Sequence, residues 1–414
     1  MPAHVALYQA VEQQMTTITA ETDLRITSVR RLALLVTGII AAKSCVLAQV
    51  AAELAALHLT EAHWAESIAR RLRRTLNDPA LTAATCYEPV LPQVIDWPAV
   101  LRGSRRVVLI VDESSKEDEV HLFRVSLAYW GGSLPLGWAV WEQNQPLPDG
   151  YYWQTIDAIL ARIAALVPAG LEVIVVADRA YDIPAFVDRI ASYGWHWVVR
   201  CKAGSSLRWR DYQGREWALR DLVARHLPGP GRRWKGRGQV FKAAGWRDAS
   251  VVGVWAPGHK EPLVVLSNRP AQWAVLRLYG RRFWTEPGFR NDKTRGWQWE
   301  DSQVQGVAHH ERLLLAMAWA SLVTLCLGVQ DAKARLVALA ERPIRVRAGR
   351  PSPGRPQHAR ESLFTLGLRR ARQWLYHAWA GAFPWRLADL DTDSWTAQWQ
   401  FHQAYRLIFQ TVRP

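Results

Sequence analysis

The chain has 414 residues, of which 49% are hydrophobic, so it is long enough for about two or three domains with a sizeable core. Its formal net charge of +15 indicates a polyanionic partner, either nucleic acid or an anionic membrane. The longest apolar run, 313–329, follows charged residues and is short for a membrane span, so a buried core helix explains it better. No signal peptide is visible, and the four scattered cysteines fit reduced, buried thiols rather than disulfides or a zinc site. Composition therefore excludes a membrane partner and favours a cytoplasmic, nucleic-acid-binding protein.

Residues 1–95 are predicted to form a helical domain. One segment of this region carries four arginines within five residues, Arg70, Arg71, Arg73 and Arg74. A helix with such a cluster is suited to contact the phosphates of DNA. A solvated helix face explains the same cluster equally well. The region is therefore a candidate DNA-binding domain.

A mixed pattern of strands and helices begins near residue 100. The aliphatic runs 107–111 and 173–177 are typical of strands buried on both faces, and they are followed by Asp112 and Asp178. The order of elements is strand, hairpin, helix, strand, helix, strand, which predicts a mixed α/β sheet flanked by helices. Both aspartates then lie at the edge where open α/β sheets usually carry their chemistry. The other predicted elements are strands at 121–130, 134–141 and 195–201 and helices at 151–167 and 184–193.

Residues 203–275 interrupt this pattern with arginine-rich strand candidates at 240–244, 251–255 and 263–267. We interpret the segment as a β-rich insertion. Several of the 23 tryptophans lie beside basic residues, as in Arg233-Trp234-Lys235. Most of them should belong to the core, and a minority in a basic context are suited to stack on bases.

The stretch 279–293 places Tyr279, Arg282, Glu286 and Lys293 at successive offsets of three, four and seven residues. In a helix these offsets bring the side chains to one face. One acid beside two cations and a phenol is suited to hold a metal ion and a phosphate, although a solvated amphipathic helix has the same pattern. Proline and glycine directly follow Glu286, so we expect a kink that turns Lys293 away from that face.

Asp112, Asp178 and Glu286 form a trio of acids without a histidine or cysteine partner. Oxygen ligands of this kind suit hard cations. Two Mg²⁺ ions held by three carboxylates can activate an attacking oxygen and stabilise the leaving oxygen of a phosphodiester. Each aspartate is alternatively a turn residue at a strand end, and Glu113 and Asp118 lie close to Asp112 in the sequence.

Two motifs resemble those of a known family. The sequence Val-Val-Ala-Asp178-Arg-Ala-Tyr and the spacing Tyr279-x2-Arg282-x3-Glu286-x6-Lys293 are similar to those of the IS4-type DDE transposases with their Tyr-Arg-Glu-Lys signature. The resemblance covers about residues 100–330. It implies an RNase H-like mixed α/β core with a β-rich insertion between the second aspartate and the glutamate.

The resemblance also implies a role for each site residue. Asp112, Asp178 and Glu286 would bind two catalytic Mg²⁺ ions, for which Mn²⁺ can substitute. Phosphates of the transposon end would be held by Tyr279, Arg282 and Lys293. The implied domains are a helical DNA-binding domain (1–95), a catalytic core (100–202 and 276–330), the insertion (203–275), and a basic linker with C-terminal helices (342–414).

The function implied is DNA transposition by a transposase of an insertion sequence. Water cleaves the phosphodiester at the transposon end, and the freed 3′-hydroxyl attacks target DNA. The expected partners are double-stranded DNA, as terminal inverted repeats and as target, and a second copy of the chain in the synaptic complex. The arginines at 70–74 would recognise the terminal repeats, and the basic segment 342–372 would contact the second DNA end. A cytoplasmic, nucleoid-associated location in a bacterial cell follows. Two alternatives stay open, an inactive DNA-binding transposase remnant and a stand-alone RNase H-like nuclease.

Overall fold

A computed structural model describes residues 3–101, 104–340, 362–377 and 381–387. The first hundred residues are helical where they are described, as the sequence predicts. The longer helices pack on one another through apolar faces, and the last three are short. They are α1 (Ala3–Ile18), α2 (Ile26–Ala42), α3 (Leu47–Ala56), α4 (Ala65–Leu76), α5 (Ala83–Cys86), α6 (Leu91–Val94) and α7 (Trp97–Leu101).

The predicted series of strands and helices follows in the predicted order. It comprises β1 (Arg106–Lys116), β2 (Val120–Tyr129), β3 (Gly132–Glu142), α8 (Tyr151–Leu166), β4 (Glu172–Ala177), α9 (Pro184–Ser192) and β5 (His196–Cys201). Strands β1, β2 and β3 are antiparallel neighbours, whereas β4 lies parallel to both β1 and β5. The predicted mixed α/β sheet flanked by helices is confirmed.

The β-rich segment continues the same sheet. Its elements are β6 (Arg208–Arg210), β7 (Glu216–Ala218), α10 (Leu219–His226), β8 (Arg233–Val240), β9 (Arg247–Val254) and β10 (Leu263–Ser267). Strand β10 pairs antiparallel with β5, and the strand order across the sheet is β3-β2-β1-β4-β5-β10-β9-β8-β6-β7. The segment is therefore hydrogen-bonded to the core through an unbroken ladder of strands.

The strand predicted at 240–244 is wrong. Strand β8 ends at Val240, because Phe241 adopts a left-handed conformation (φ 69°) and a 3-10 turn follows at Lys242–Ala244. The real strand lies earlier, where glycines and cations hide its pattern. Gly238 is required there, since a Cβ atom would lie 2.3 Å from the carbonyl oxygen of Arg210.

The chain returns to the core through α11 (Ala274–Tyr279), α12 (Thr285–Arg290), α13 (Val307–Ala340) and α14 (Leu363–Tyr376). Helix α13 is long and apolar enough to cross a membrane by length and composition. However, 89% of its most apolar stretch is buried inside the protein, as expected of the predicted core helix. The sequence predicts two C-terminal helices, at 362–379 and 392–409, after a basic linker at 342–360. Helix α14 packs on α13 and confirms the first of them. The predicted linker at 342–360 and the helix at 392–409 lie outside the described residues.

The sheet separates two apolar cores. The larger core contains the helical N-terminal region, α8, α9 and α13. The smaller one contains Val108 and Ile110 of β1, Ile174 and Val176 of β4, and Tyr279 at the end of α11. Because side chains alternate along a strand, the next residues on this second face are 112 and 178. The four cysteines are buried free thiols, as predicted.

Candidate active site

Asp112 and Asp178 lie side by side because β1 and β4 are parallel neighbours. Their pairing ends at Val111 and Ala177, one residue before each acid. Strand β1 continues to Lys116 through its pairing with β2, so Asp112 lies within a strand and not at its end as predicted. Asp178 does begin a turn, where its Oδ1 accepts a hydrogen bond from the backbone N–H of Ala180 (2.8 Å). Asp178 therefore begins a turn and also lies beside Asp112, so the two interpretations of this residue do not exclude each other.

Three carboxylates converge on the guanidinium of Arg282. Its Nη2 atom lies 2.9 Å from Oδ1 of Asp112 and 3.9 Å from Oδ2 of Asp178, and Nη1 lies 3.3 Å from Oε1 of Glu286. Burial raises the pKa of Asp112, although Arg282 opposes this shift. Burial by itself would lower the pKa of Arg282, but the charge and hydrogen bond of Asp112, together with the charges of Tyr279 and Asp178, outweigh burial and raise the pKa. The arginine therefore stays charged amid the acids.

The stretch 279–293 contains three helical forms in succession instead of one helix. A 3-10 helix at Gly280–Trp284 joins α11 to α12, and a π-helix at Asn291–Arg295 follows. Arg282 contacts both aspartates and Glu286 pairs with Arg282, whereas Nζ of Lys293 lies 3.3 Å from Oε1 of Glu300. The predicted single face is therefore divided at the end of α12.

Tyr279 lies beneath this site with a side chain that is 1% exposed. Burial raises its pKa to about 12, against the opposing charge of Arg282. The phenol is therefore protonated at neutral pH. It can donate a hydrogen bond and does not serve as a base.

Pro287 and Gly288 do not break α12. The proline lies in the first turn of the helix, where a missing N–H leaves no hydrogen bond unmade. A Cβ atom on Gly288 would lie 2.9 Å from Oγ of Ser133 and 3.3 Å from Nη2 of Arg124. The glycine thus allows α12 to approach the β2–β3 hairpin closely, which brings Glu286 to the sheet.

A buried ion pair fixes this segment to the sheet, and the sequence did not predict it. Nη1 of Arg124 lies 2.5 Å from Oδ2 of Asp292, and the two side chains are 6% and 9% exposed. The guanidinium also lies over the ring of Phe289, 3.9 Å from its centroid. Burial raises the pKa of Asp292, and Arg124 opposes this. Arg124 is the cross-strand partner of Asp112, so the pair joins the end of α12 to the strand beside the acids.

Glu113 is separated from the acid trio because it points to the opposite face of the sheet. Its Oε1 accepts a hydrogen bond from the Tyr152 hydroxyl (2.7 Å), and its Oε2 lies 3.3 Å from Nε2 of His121. Burial would raise the pKa of Glu113, but these partners outweigh burial and lower it. Glu113 therefore lies apart from Arg282, whereas Asp112 lies beside it. The role of Asp112 as a metal ligand stays a prediction.

The arginine cluster lies on the outer side of α4. Arg70, Arg73 and Arg74 are exposed, and Arg71 is half-buried. The opposite side of the helix, including Ile68, is buried against the N-terminal helices. The cluster is thus accessible to a partner. Its contact with DNA stays a prediction.

The three acids supply the oxygen donors that Mg²⁺ prefers, with no softer ligand among them. Within residues 3–101, 104–340, 362–377 and 381–387, no group of three His, Cys, Asp or Glu lies close enough together to hold one ion. In this arrangement the guanidinium of Arg282 lies among the three carboxylates. The chemistry of the donors, and not their present spacing, is what suits a divalent cation.

A family model described as "Transposase DDE domain" matches residues 149–323, which include Asp178, Arg282 and Glu286 but not Asp112. No curated protein matches the sequence. Seven chains of solved structures match, among them Ciona intestinalis endonuclease V in complex with a 24mer DNA containing an inosine followed by a ribo-adenosine. That chain is 10% identical, the match covers 50% of this chain and 93% of that chain, and the TM-score is 0.28. Residues 149–323 are therefore similar to a transposase DDE domain.

Proposed function

We propose that this protein is an IS4-type transposase of an insertion sequence, which cleaves DNA at transposon ends and joins the freed ends to target DNA in a metal-dependent reaction. The observation that carries the proposal is the convergence of Asp112, Asp178 and Glu286 on one cation. Three separate elements of the chain supply these acids. The match of residues 149–323 to a transposase domain supports the same reaction class.

Asp112, Asp178 and Glu286 would hold the metal ions, two Mg²⁺ or in their place Mn²⁺. Bound ions of this kind activate the attacking oxygen and stabilise the leaving oxygen of a phosphodiester. Arg282 presents a planar fork of donors that fits a phosphate as well as a carboxylate. Arg282 now pairs with the three acids. When metal ions bind the acids, the guanidinium would be released and could pair with a phosphate of the DNA end instead.

The remaining predicted contacts belong to the same proposal. Lys293 would add a positive charge near the phosphates of the transposon end. The protonated Tyr279 hydroxyl would donate a hydrogen bond to one of these phosphates. The arginines at 70–74 would recognise the terminal inverted repeats, and the basic segment 342–372 would contact the second end. Two copies of the chain would hold two ends in one synaptic complex, in the nucleoid of a bacterial cell.

The test is cleavage of a labelled duplex that carries the element's terminal repeat, in the presence of Mg²⁺. We expect Asp112→Asn, Asp178→Asn and Glu286→Gln to reduce cleavage by more than about a thousandfold while end binding persists, because each removes a metal ligand. Asp188→Asn is the matched control, since Asp188 pairs with Arg247 on the surface (2.7 Å).

Normal cleavage by Asp178→Asn would refute the proposal. The appearance of joined product separates transposition from the alternatives. Cleavage without joining identifies a stand-alone nuclease, and binding without cleavage identifies a transposase remnant.

A further inference from the structure

Strand β8 carries a row of exposed cations on one face of the sheet. Arg233, Lys235 and Arg237 occupy alternate positions and are all exposed, so their side chains share a face. We name these three residues the β8 basic stripe. Two of their cross-strand partners, Val254 and Val252, belong to the smaller apolar core. The stripe is therefore on the face that carries Asp112 and Asp178.

The register of the sheet aligns the stripe with the acids. Residue 178 directly follows β4, and successive pairings carry its row across β5, β10 and β9 to β8. Four strand spacings of about 4.8 Å separate β4 from β8, which amounts to roughly 19 Å. The row runs from Asp178 through Arg200, Val265 and Val252 to Lys235.

The charge of the stripe is not compensated within the protein. Among the residues that the structure describes, no carboxylate forms an ion pair with any of its three members. In contrast, Arg208 pairs with Glu216 (3.4 Å) and Arg215 with Asp211 (2.8 Å) in the neighbouring β6–β7 hairpin. On a solvated protein surface, positive and negative side chains are normally mixed. Three neighbouring cations without a carboxylate partner therefore indicate an anionic partner.

An aromatic ring holds two of the cations in place. Arg233 and Lys235 lie over Trp273, at 5.3 Å and 5.6 Å from its ring centroid. Trp273 directly precedes α11, which crosses the sheet towards Arg282 and the acids. Arg277 is exposed on the outer side of α11 and forms no ion pair with a described carboxylate. Positive charge therefore continues from the stripe to the site.

We propose that the β8 basic stripe binds the sugar-phosphate backbone of duplex DNA, about six base pairs from the phosphodiester at the acids. The distance follows from roughly 19 Å of sheet and a rise of about 3.4 Å per base pair. The inference rests on the proposed function and deepens it, because it assigns a second contact to the DNA whose cleavage site lies at Asp178. The contact is to phosphates and is independent of base sequence.

The test is the salt dependence of binding to a fluorescent duplex of about 30 base pairs, without metal and therefore without cleavage. We compare the wild-type chain with Arg233→Ala/Lys235→Ala. The matched control is Arg208→Ala/Arg215→Ala, which removes the same charge from the same segment. The stripe variant should bind about 10- to 100-fold more weakly, and its slope of log K against log salt should flatten by about 2. The control should stay within about twofold of the wild-type chain.

Two further arms make the result specific. The charge-retaining variant Arg233→Lys/Lys235→Arg should recover the slope, because phosphate contacts need the charge. A duplex that carries the terminal repeat but ends less than about six base pairs inside the cleavage position does not extend to the stripe. The wild-type chain and the stripe variant should bind such a duplex with equal affinity. If thermal unfolding shows that the stripe variant is destabilised, Lys235→Ala/Arg237→Ala replaces it and spares the contact of Arg233 with Trp273.

A folded stripe variant with the slope and affinity of the control overturns the inference. The inference is also overturned if the variant loses affinity for a single strand of the same length but not for the duplex. Failure of the proposed function has a different signature. In that case the wild-type chain cleaves no DNA in Mg²⁺, whereas the stripe variant still flattens the salt slope.

Discussion

The buried pair of Arg124 and Asp292 allows a quantitative prediction. Asp292→Asn conserves the shape of the side chain but leaves the guanidinium buried without a counter-ion. Removal of one partner of a buried pair costs about 3–5 kcal/mol. The cation–π contact with Phe289 survives and is worth about 1–2 kcal/mol, so we expect the lower end of that range.

The double variant Arg124→Met/Asp292→Leu should be much less destabilised than the sum of its single variants. It leaves no unpaired charge, and apolar replacement of a buried pair is often nearly neutral. We expect a coupling energy of about 2–3 kcal/mol. The assay is urea unfolding followed by circular dichroism for the wild-type chain, Asp292→Asn, the single variants Arg124→Met and Asp292→Leu, and the double variant. Arg189→Met/Asp157→Leu is the control, because this pair is partly exposed and should couple by less than about 1 kcal/mol.

The same variants test what the pair does for the site. In the double variant α12 is no longer tied to β2 by charge, so cleavage should fall even where stability is recovered. A cost of less than about 1 kcal/mol for Asp292→Asn would refute the reasoning. Equal costs for the double variant and the sum of the single variants would refute it as well.

Two further predictions concern charge near the acids. Arg282→Gln should bind Mn²⁺ about tenfold more tightly than the wild-type chain in calorimetric titration without DNA, because it removes a competing cation from the three acids. Arg282→Lys keeps the charge and should not bind Mn²⁺ more tightly. Weaker binding by Arg282→Gln would show that the arginine positions the acids instead. Asp182 has a pKa raised to about 6, first by burial and then by the charge of Asp178. A raised carboxyl pKa contributes stability that is complete below the unfolded value and is lost as pH rises through the folded value. Asp182→Asn should therefore exceed the wild-type chain in stability by about 1–3 kcal/mol at about pH 7, with the difference closing at about pH 4, and a constant difference in urea unfolding across this range would contradict it.

The sequence predicted those parts of the fold where a pattern is local. Aliphatic runs identified β1, β4 and β10, and β10 has the predicted bounds of 263–267. Parallel pairing of the first two runs then placed Asp112 beside Asp178, since residues that follow paired strand ends are neighbours. The spacing of four between Arg282 and Glu286 also predicted their contact in the helical segment.

The parts that were missed depend on distant partners. Arg124 lies in an otherwise apolar predicted strand, and its partner Asp292 is 168 residues away, so no local pattern joins them. Strand β8 lacks the alternation of apolar and polar residues, because cations occupy one of its faces and glycines occupy part of the other. The π-helix at Asn291–Arg295 was not predicted beyond the expectation of a kink, since the close approach that Gly288 permits is set by the β2–β3 hairpin.

The unbroken ladder from β4 to β8 has a geometric consequence for any duplex bound across it. Neighbouring strands are rotated by about 20–25°, so four steps turn β8 by roughly 80–100° relative to β4. A duplex that contacts both therefore passes over α11, which covers the strands between them, while the strand spacing of about 4.8 Å sets the distance between the two contacts. Gain or loss of one strand would move the outer contact by more than one base-pair step of about 3.4 Å. Strand number, and not loop length, would then set how far from its outer anchor the protein cuts.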